Sequence, residues 1–207
     1  GLYVPVVLPE FSAPTFDGAV EFPDVAQRLL APFMEGSSLE RLLSAICREA
    51  LNFPVPLRPV ENGLSVLEMF HGPTAAFKDV GARFLAASME QIIRDGRYAR
   101  PPVTILVATS GDTGGAVASA FHGRTGVRVL VLFPDGRVSP RQQHQLTCWG
   151  GNVTSLAVRG EFDDCQRLVK EAFSDPVLRD SHQLCSANSI NVGRLLPQAA
   201  YYAKASL

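Results

Sequence analysis

The 207-residue chain has no surplus of charge: 19 Lys and Arg stand against 20 Asp and Glu, a formal net charge of −1. Without a basic excess, nothing drives binding to nucleic acid or to an anionic membrane surface. Long apolar runs are missing too. The longest, Val103–Ala108 and Val129–Phe133, fall far short of a bilayer span. No secretory signal or basic amphipathic leader is visible, so a cytoplasmic protein is expected. The chain opens at Gly1 rather than methionine, so a natural start upstream is an expectation. Cysteine is sparse: Cys47, Cys148, Cys165 and Cys185 lie far apart, with no CxxC pair and no Cys/His cluster. That spacing argues against a zinc site and against a disulfide framework, and the thiols are expected to be reduced and mostly buried. His71, His122, His144 and His182 show no metal-ligand spacing either, so no metal is expected. Charged residues make up 19%, below the roughly 25% of a typical globular domain. With 46% hydrophobic residues, there is ample apolar material for a core, which excludes disorder.

What is present reads as α/β. The first 35 residues are proline-rich and irregular, with one short helix predicted near Asp24–Phe33. Ser37-x-x-Glu40 has the form of a capping box, and Leu39, Leu42, Leu43, Ile46 and Leu51 follow at helical spacing. Leu57–Val60 and Leu64–Phe70 flank Glu61-Asn62-Gly63, whose Asn-Gly step predicts a tight hairpin. His71-Gly72-Pro73-Thr74 breaks the second strand, and a helix is predicted from Thr74, as its cap, to about Arg94. From Val103 onward the grammar changes. Strand-like Val103–Thr109, Val127–Phe133, Val153–Val158 and Gln183–Ser186 alternate with helical Thr113–His122, Ser139–Cys148, Glu161–Ser174 and Ser189–Ala205. Short apolar strands alternating with helices predict a parallel sheet covered on both faces. A boundary near Asp95–Pro102 divides the chain into residues 1–100 and an α/β unit over 101–207.

Ligands of such sheets bind beyond the carboxyl ends of the strands, and two turns fall there: Ser110-Gly111-Asp112-Thr113-Gly114-Gly115 and Ala187-Asn188-Ser189-Ile190-Asn191. The first joins a buried strand to a helix. Its glycines let backbone amides approach an anion, the helix start adds partial positive charge, and Ser110 and Thr113 offer hydroxyls. It is neither a Walker loop nor a nucleophile elbow, since the Gly-Lys-Ser/Thr ending and the glycine two residues before Ser110 are lacking. Asn188 has the placement of a helix cap, with an amide aimed at a ligand as the alternative. Lys78 sits on the first turn of a mostly apolar helix, where the helix dipole and apolar neighbours both favour the neutral, nucleophilic amine. From position alone it also reads as a surface lysine paired with Asp79 or Glu90.

Taken together these strings resemble the threonine synthases of the bacterial and fungal branch. The resemblance runs through Gly1-Leu2-Tyr3-Val4-Pro5, the string from His71 to Asp79, Thr109–Gly115, Phe133-Pro134-Asp135-Gly136-Arg137-Val138-Ser139-Pro140, Gly150-Gly151-Asn152 and Ser186–Asn191. It implies a fold-type-II enzyme dependent on pyridoxal 5'-phosphate, with Lys78 as catalytic residue and covalent anchor of the cofactor. Phe77, Asn188 and Asn191 would lie at the cofactor, and Ser110, Gly111, Asp112, Thr113 and Gly114 would hold the substrate carboxylate. Residues from Val103 would form the small domain that closes on the substrate. The implied reaction turns O-phospho-L-homoserine and water into L-threonine and phosphate, with the Lys78 amine moving the protons.

The resembling enzymes are longer and carry a further glycine-rich loop that grips the cofactor phosphate, beyond the segment ending here at Leu207. This chain is therefore expected to be an N-terminal-half piece that binds the cofactor weakly and exposes apolar surface. Monomer and homodimer stay equally open. Two other readings stand beside this one: another fold-type-II lyase or dehydratase acting on amino acids, and a catalytically silent domain that keeps the fold.

Overall fold

The computed structural model describes residues 3–19, 21–96 and 102–207. Most of the predicted boundary at Asp95–Pro102, and Gly1-Leu2 of the N-terminal string, lie outside the described residues. In chain order the helices and strands begin with α1 (Phe22–Met34), α2 (Leu43–Ala50), the hairpin β1 (Leu57–Glu61) and β2 (Leu64–Leu67), and α3 (Lys78–Arg94). There follow β3 (Val103–Ala108), α4 (Asp112–Phe121), β4 (Val127–Pro134), α5 (Pro140–Thr147) and β5 (Val153–Val158). The last are α6 (Phe162–Ser174), α7 (Pro176–Ser181), β6 (Leu184–Ser186), α8 (Val192–Leu195) and α9 (Ala199–Ser206). Packing divides these into two compact units. One is the chain up to Ser88 together with Ser189–Leu207, and the other is Met89–Asn188.

The first unit is helical apart from its hairpin. In α1 the buried positions Phe22, Val25, Ala26, Leu29 and Leu30 recur at the spacing of one helical face. That stripe packs on Leu43, Ile46, Cys47 and Ala50 of α2, Val80, Phe84 and Ala87 of α3, and Ala200 and Tyr201 of α9. The hairpin pairs Leu57 with Leu67 and Glu61 with Leu64, and Gly63 at φ +78° supplies the turn that Asn62-Gly63 predicts. The second strand stops at Leu67, short of the predicted Phe70.

Three predicted helix starts move. Ser37 and Glu40 form no box around α2: the Ser37 hydroxyl donates to the Met34 carbonyl at 2.6 Å, and the Glu40 carboxylate accepts the Gly36 N–H at 2.8 Å. They close the turn after α1, and a 3-10 turn at Glu40–Leu42 leads into α2. Thr74 does not cap α3, which begins at Lys78, because Ala75 takes a left-handed φ of +56° and the chain cannot be helical through it. The predicted helix Ser189–Ala205 is broken. Asn191, not Asn188, caps α8 by accepting the Gly193 N–H at 2.9 Å. Pro197 then sits in a 3-10 turn, Leu196–Gln198, before α9.

The second unit carries a four-stranded sheet, order β5-β4-β3-β6, parallel throughout. The α/β architecture with a parallel sheet is thus the one the strand–helix alternation predicts. Side chains alternate across each strand. Leu106, Leu130 and Leu132 meet Cys165 and Leu168 of α6 on one face. Ile105, Val107, Val129, Val131 and Phe133 are buried on the other, where α4 and α5 lie against β4 and β5. Short α7, capped by Asp175 through the Val177 and Leu178 amides, has no counterpart among the predicted elements. At the far end of α3, Glu90 joins Arg94 at 3.2 Å and Arg124 at 2.6 Å.

Candidate active site

From β3 the chain proceeds to β4 and β5 on one side, then returns to place β6 on the other side of β3. Such a reversal opens a crevice at the carboxyl ends of the two strands. The turn after β3 holds Ser110–Gly114, and Ala187 and Asn188 follow β6, so the second unit brings these predicted site residues to one edge of one sheet.

The turn is built around a residue that the sequence reading did not single out. The Thr109 hydroxyl, on a residue 1% exposed, accepts the Gly111 N–H at 3.0 Å and the Gly114 N–H at 2.9 Å, and donates to the Gly111 carbonyl at 3.0 Å. Gly111 precedes α4 at φ +150°, ψ −100°, a conformation closed to side-chain-bearing residues. Gly114 has no room for a Cβ, since the Thr109 methyl and a Leu146 methyl fill that space. Thr113 and Asp112 thereby stand at the opening turn of α4, with Ser110 and Asp112 exposed and Gly111 and Gly114 buried. With the Gly111 and Gly114 amides engaged by Thr109, what the turn offers an anion is the exposed Ser110 and the positive end of α4.

A second unforeseen residue is Gln142. Ser139-x-x-Gln142 forms a full capping box at the start of α5, and the Gln142 amide also donates to the Asp112 carboxylate at 2.9 Å. The capping-box pattern was the available sequence signal. Asn188 is exposed, its N–H bonded to the Ser186 hydroxyl at 3.2 Å.

In the first unit Lys78 opens α3, half-buried, with its Nζ 4.6 Å from the centroid of the Phe77 ring. The loop before it is clamped from behind. Asp79, 1% exposed, accepts the Thr74 N–H at 2.9 Å and the Thr74 hydroxyl at 2.7 Å. Gly72 packs so closely on this carboxylate that a Cβ there would stand 2.5 Å from its Oδ2. Burial pushes the Asp79 pKa up, and the Thr74 hydrogen bonds, Arg83 and the Ala76 backbone oppose it. Asn191 lies in this unit as the α8 cap, and the neighbouring Arg194 is 1% exposed, its pKa pulled down by burial. An aldehyde cofactor needs a primary amine held on a rigid element, and Lys78 at the head of α3 meets that requirement. Among the described residues, no cluster of His, Cys, Asp or Glu could hold a metal ion, and no helix is long and apolar enough to cross a membrane.

A parallel sheet with a glycine turn at its carboxyl edge, and a lysine heading a buried helix, define the α/β architecture of fold-type-II enzymes. The chain matches the pyridoxal-phosphate dependent enzyme family over residues 54–195 and belongs to that family. It is 45% identical to the threonine synthase of Serratia marcescens, covering 99% of this chain and 47% of that protein. Among solved structures, that of Escherichia coli threonine synthase is 44% identical, with a TM-score of 0.88 over 100% of this chain and 48% of the other. A threonine synthase structure from Brucella melitensis with PLP bound is 41% identical, with a TM-score of 0.89 over 100% of this chain and 46% of the other. The chain thus spans about half the length of the relatives it matches.

Proposed function

We propose that this chain belongs to a threonine synthase, which converts O-phospho-L-homoserine and water to L-threonine and phosphate in the cytoplasm. The observation that carries the reading is 45% identity sustained over 99% of the chain, with Lys78 standing at the head of α3. Lys78 is presented by the unit made of the chain up to Ser88 with Ser189–Leu207, and the carboxylate turn by the unit Met89–Asn188, so the small domain expected over 101–207 gives up its last segment to the first unit.

Pyridoxal 5'-phosphate, when bound, supplies an electron sink for proton loss from an amino-acid substrate. Lys78 Nζ would hold the cofactor, and its amine would move a proton at the substrate Cα. Phe77 walls that amine on one side. The Asp79–Thr74 clamp fixes where α3 starts, and so where Nζ is delivered. The substrate carboxylate is received by the turn from Ser110 to Gly114, with Ser110 and Thr113 contributing hydroxyls and the opening of α4 contributing its dipole. Asn188 and Asn191 are proposed as further cofactor-binding residues.

Incubation with pyridoxal phosphate, borohydride reduction and peptide mapping tests the anchor: label is expected on Lys78 and absent from Lys78→Ala. Label confined to other lysines overturns the assignment. Phosphate and threonine release from O-phospho-L-homoserine by the protein at its natural length tests the reaction. Turnover of serine or threonine instead would make it a dehydratase.

A further inference from the structure

Gln142 occupies an unusual position for a capping residue, because each end of its amide is used by a different element. Its Oε1 accepts from the Ser139 N–H at 3.2 Å and from the Ser139 hydroxyl at 3.0 Å, which closes the box that starts α5. Its Nε2 donates to Asp112 Oδ1 at 2.9 Å, on the first residue of α4. The same amide lies where a side chain on Gly111 would have to go. A carboxylate at Asp112 is a poor neighbour for an anion, since like charges repel and the turn is short. A fixed N–H donor drawing that carboxylate toward α5 answers the problem.

We infer that Gln142 is a positioning residue: it holds the Asp112 carboxylate and the Gly111 backbone so that the turn from Ser110 to Gly114 can accept a carboxylate ligand. The inference rests on the reading of that turn as the substrate-carboxylate site. Gln142 does not touch the ligand. It acts through Asp112 and Gly111, and its orientation is set by the two Ser139 donors, which leave only the amide nitrogen to face Asp112.

The test uses Gln142→Glu, alone and with Asp112→Asn, in the protein at its natural length. Glutamate keeps the acceptor that caps α5 and turns the Asp112 contact into carboxylate against carboxylate. Asparagine at 112 restores a hydrogen bond with donor and acceptor exchanged. Amide hydrogen exchange at Gly111 and Gly114 reports the turn, and the Gln143 N–H, bonded to the Ser139 carbonyl at 2.8 Å, is the internal control for α5. Acetate, titrated against the amide spectrum, is the probe for carboxylate binding.

Gln142→Glu is expected to speed exchange at Gly111 and Gly114 about tenfold while Gln143 is unmoved, and to weaken acetate by a similar factor. The double variant is expected to match Asp112→Asn alone in both readouts. Unchanged exchange in Gln142→Glu, or no recovery in the double variant, overturns the inference. If Gln142→Glu does not fold, the double variant against Asp112→Asn decides it. Exchange that follows the expected pattern in a protein whose turn ignores acetate would sustain the positioning role and sink the carboxylate reading of the turn.

Discussion

Asp79 and Thr74 lock the loop that delivers Lys78. One buried carboxylate takes both the amide and the hydroxyl of the same threonine, at 2.9 and 2.7 Å. Burial nevertheless leaves the Asp79 pKa above its ordinary value. A folded pKa above the unfolded one, about 3.9, means that the folded chain holds the proton more tightly. Ionising Asp79 therefore costs stability as pH rises through the folded value, and the favourable contribution is complete only below the unfolded one.

Thr74→Val removes one of the bonds that favour the ion while keeping the shape. It is expected to lower the unfolding free energy by about 2 kcal/mol at pH 7. The loss should shrink toward pH 4, where Asp79 is increasingly protonated. Urea unfolding at the two pH values reads both effects, and an equal loss at each would mean that Thr74 serves packing alone.

Gly81 tests how α8 returns to α3. A Cβ at Gly81 would stand 2.6 Å from the Arg194 carbonyl oxygen, and one at Gly193 would stand 2.9 Å from a Leu85 methyl. Alanine in a helix interior ordinarily gains about 1 kcal/mol over glycine. Here the obstacle is backbone, which cannot swing aside, so Gly81→Ala is expected to cost about 2 kcal/mol instead. A thermal melt of the variant settles the sign.

These contacts also mark where sequence reasoning stops. The sheet is legible because Val103–Ala108 and Val127–Pro134 are short, nearly continuous apolar runs, as strands covered on both faces require. The turn from Ser110 to Gly114 is legible because its glycines have few other uses between a strand and a helix. Thr109 and Gln142 are harder to find, since their roles depend on which backbone groups the fold turns toward them. Thr74 has the right chemistry for a cap and spends it on Asp79. A continuous helix from Ser189 is what the sequence predicts, because the apolar spacing survives Pro197 although the helical backbone does not. The return of Ser189–Leu207 to the first unit follows from close packing between distant segments, which no local pattern encodes.

The four cysteines are free, and their environments differ enough to be ordered chemically. Burial pushes the Cys47 thiol up to about 12. Burial also raises Cys165, helped by the Asp164 charge, and raises Cys185 against a Ser186 backbone hydrogen bond. Cys148 is exposed. Since the thiolate is the reactive form, a disulfide reagent at pH 8 is expected to label Cys148 first and Cys47 only after denaturant is added. Labelling of Cys47 at the rate of Cys148 in the native protein would mean that the core joining α1, α2 and α3 is not formed.

Thr109 separates the two things a threonine brings to the turn. Its hydroxyl organises three backbone groups, and its methyl occupies the space a side chain on Gly114 would need. Thr109→Val keeps the shape but strands two buried amides, which is expected to cost about 3 kcal/mol. Thr109→Ser keeps the hydroxyl and deletes one methyl, a loss of about 1 kcal/mol. If the turn binds a carboxylate through the geometry that this hydroxyl imposes, the two variants must part in function as well. Valine is expected to lower kcat/KM for O-phospho-L-homoserine about 100-fold in the protein at its natural length, as a misplaced binding group does. Serine should stay within a few-fold of the parent by the same measure. Equal losses in the two variants would point to the methyl as the essential element, and would make the turn a packing device rather than a binding one.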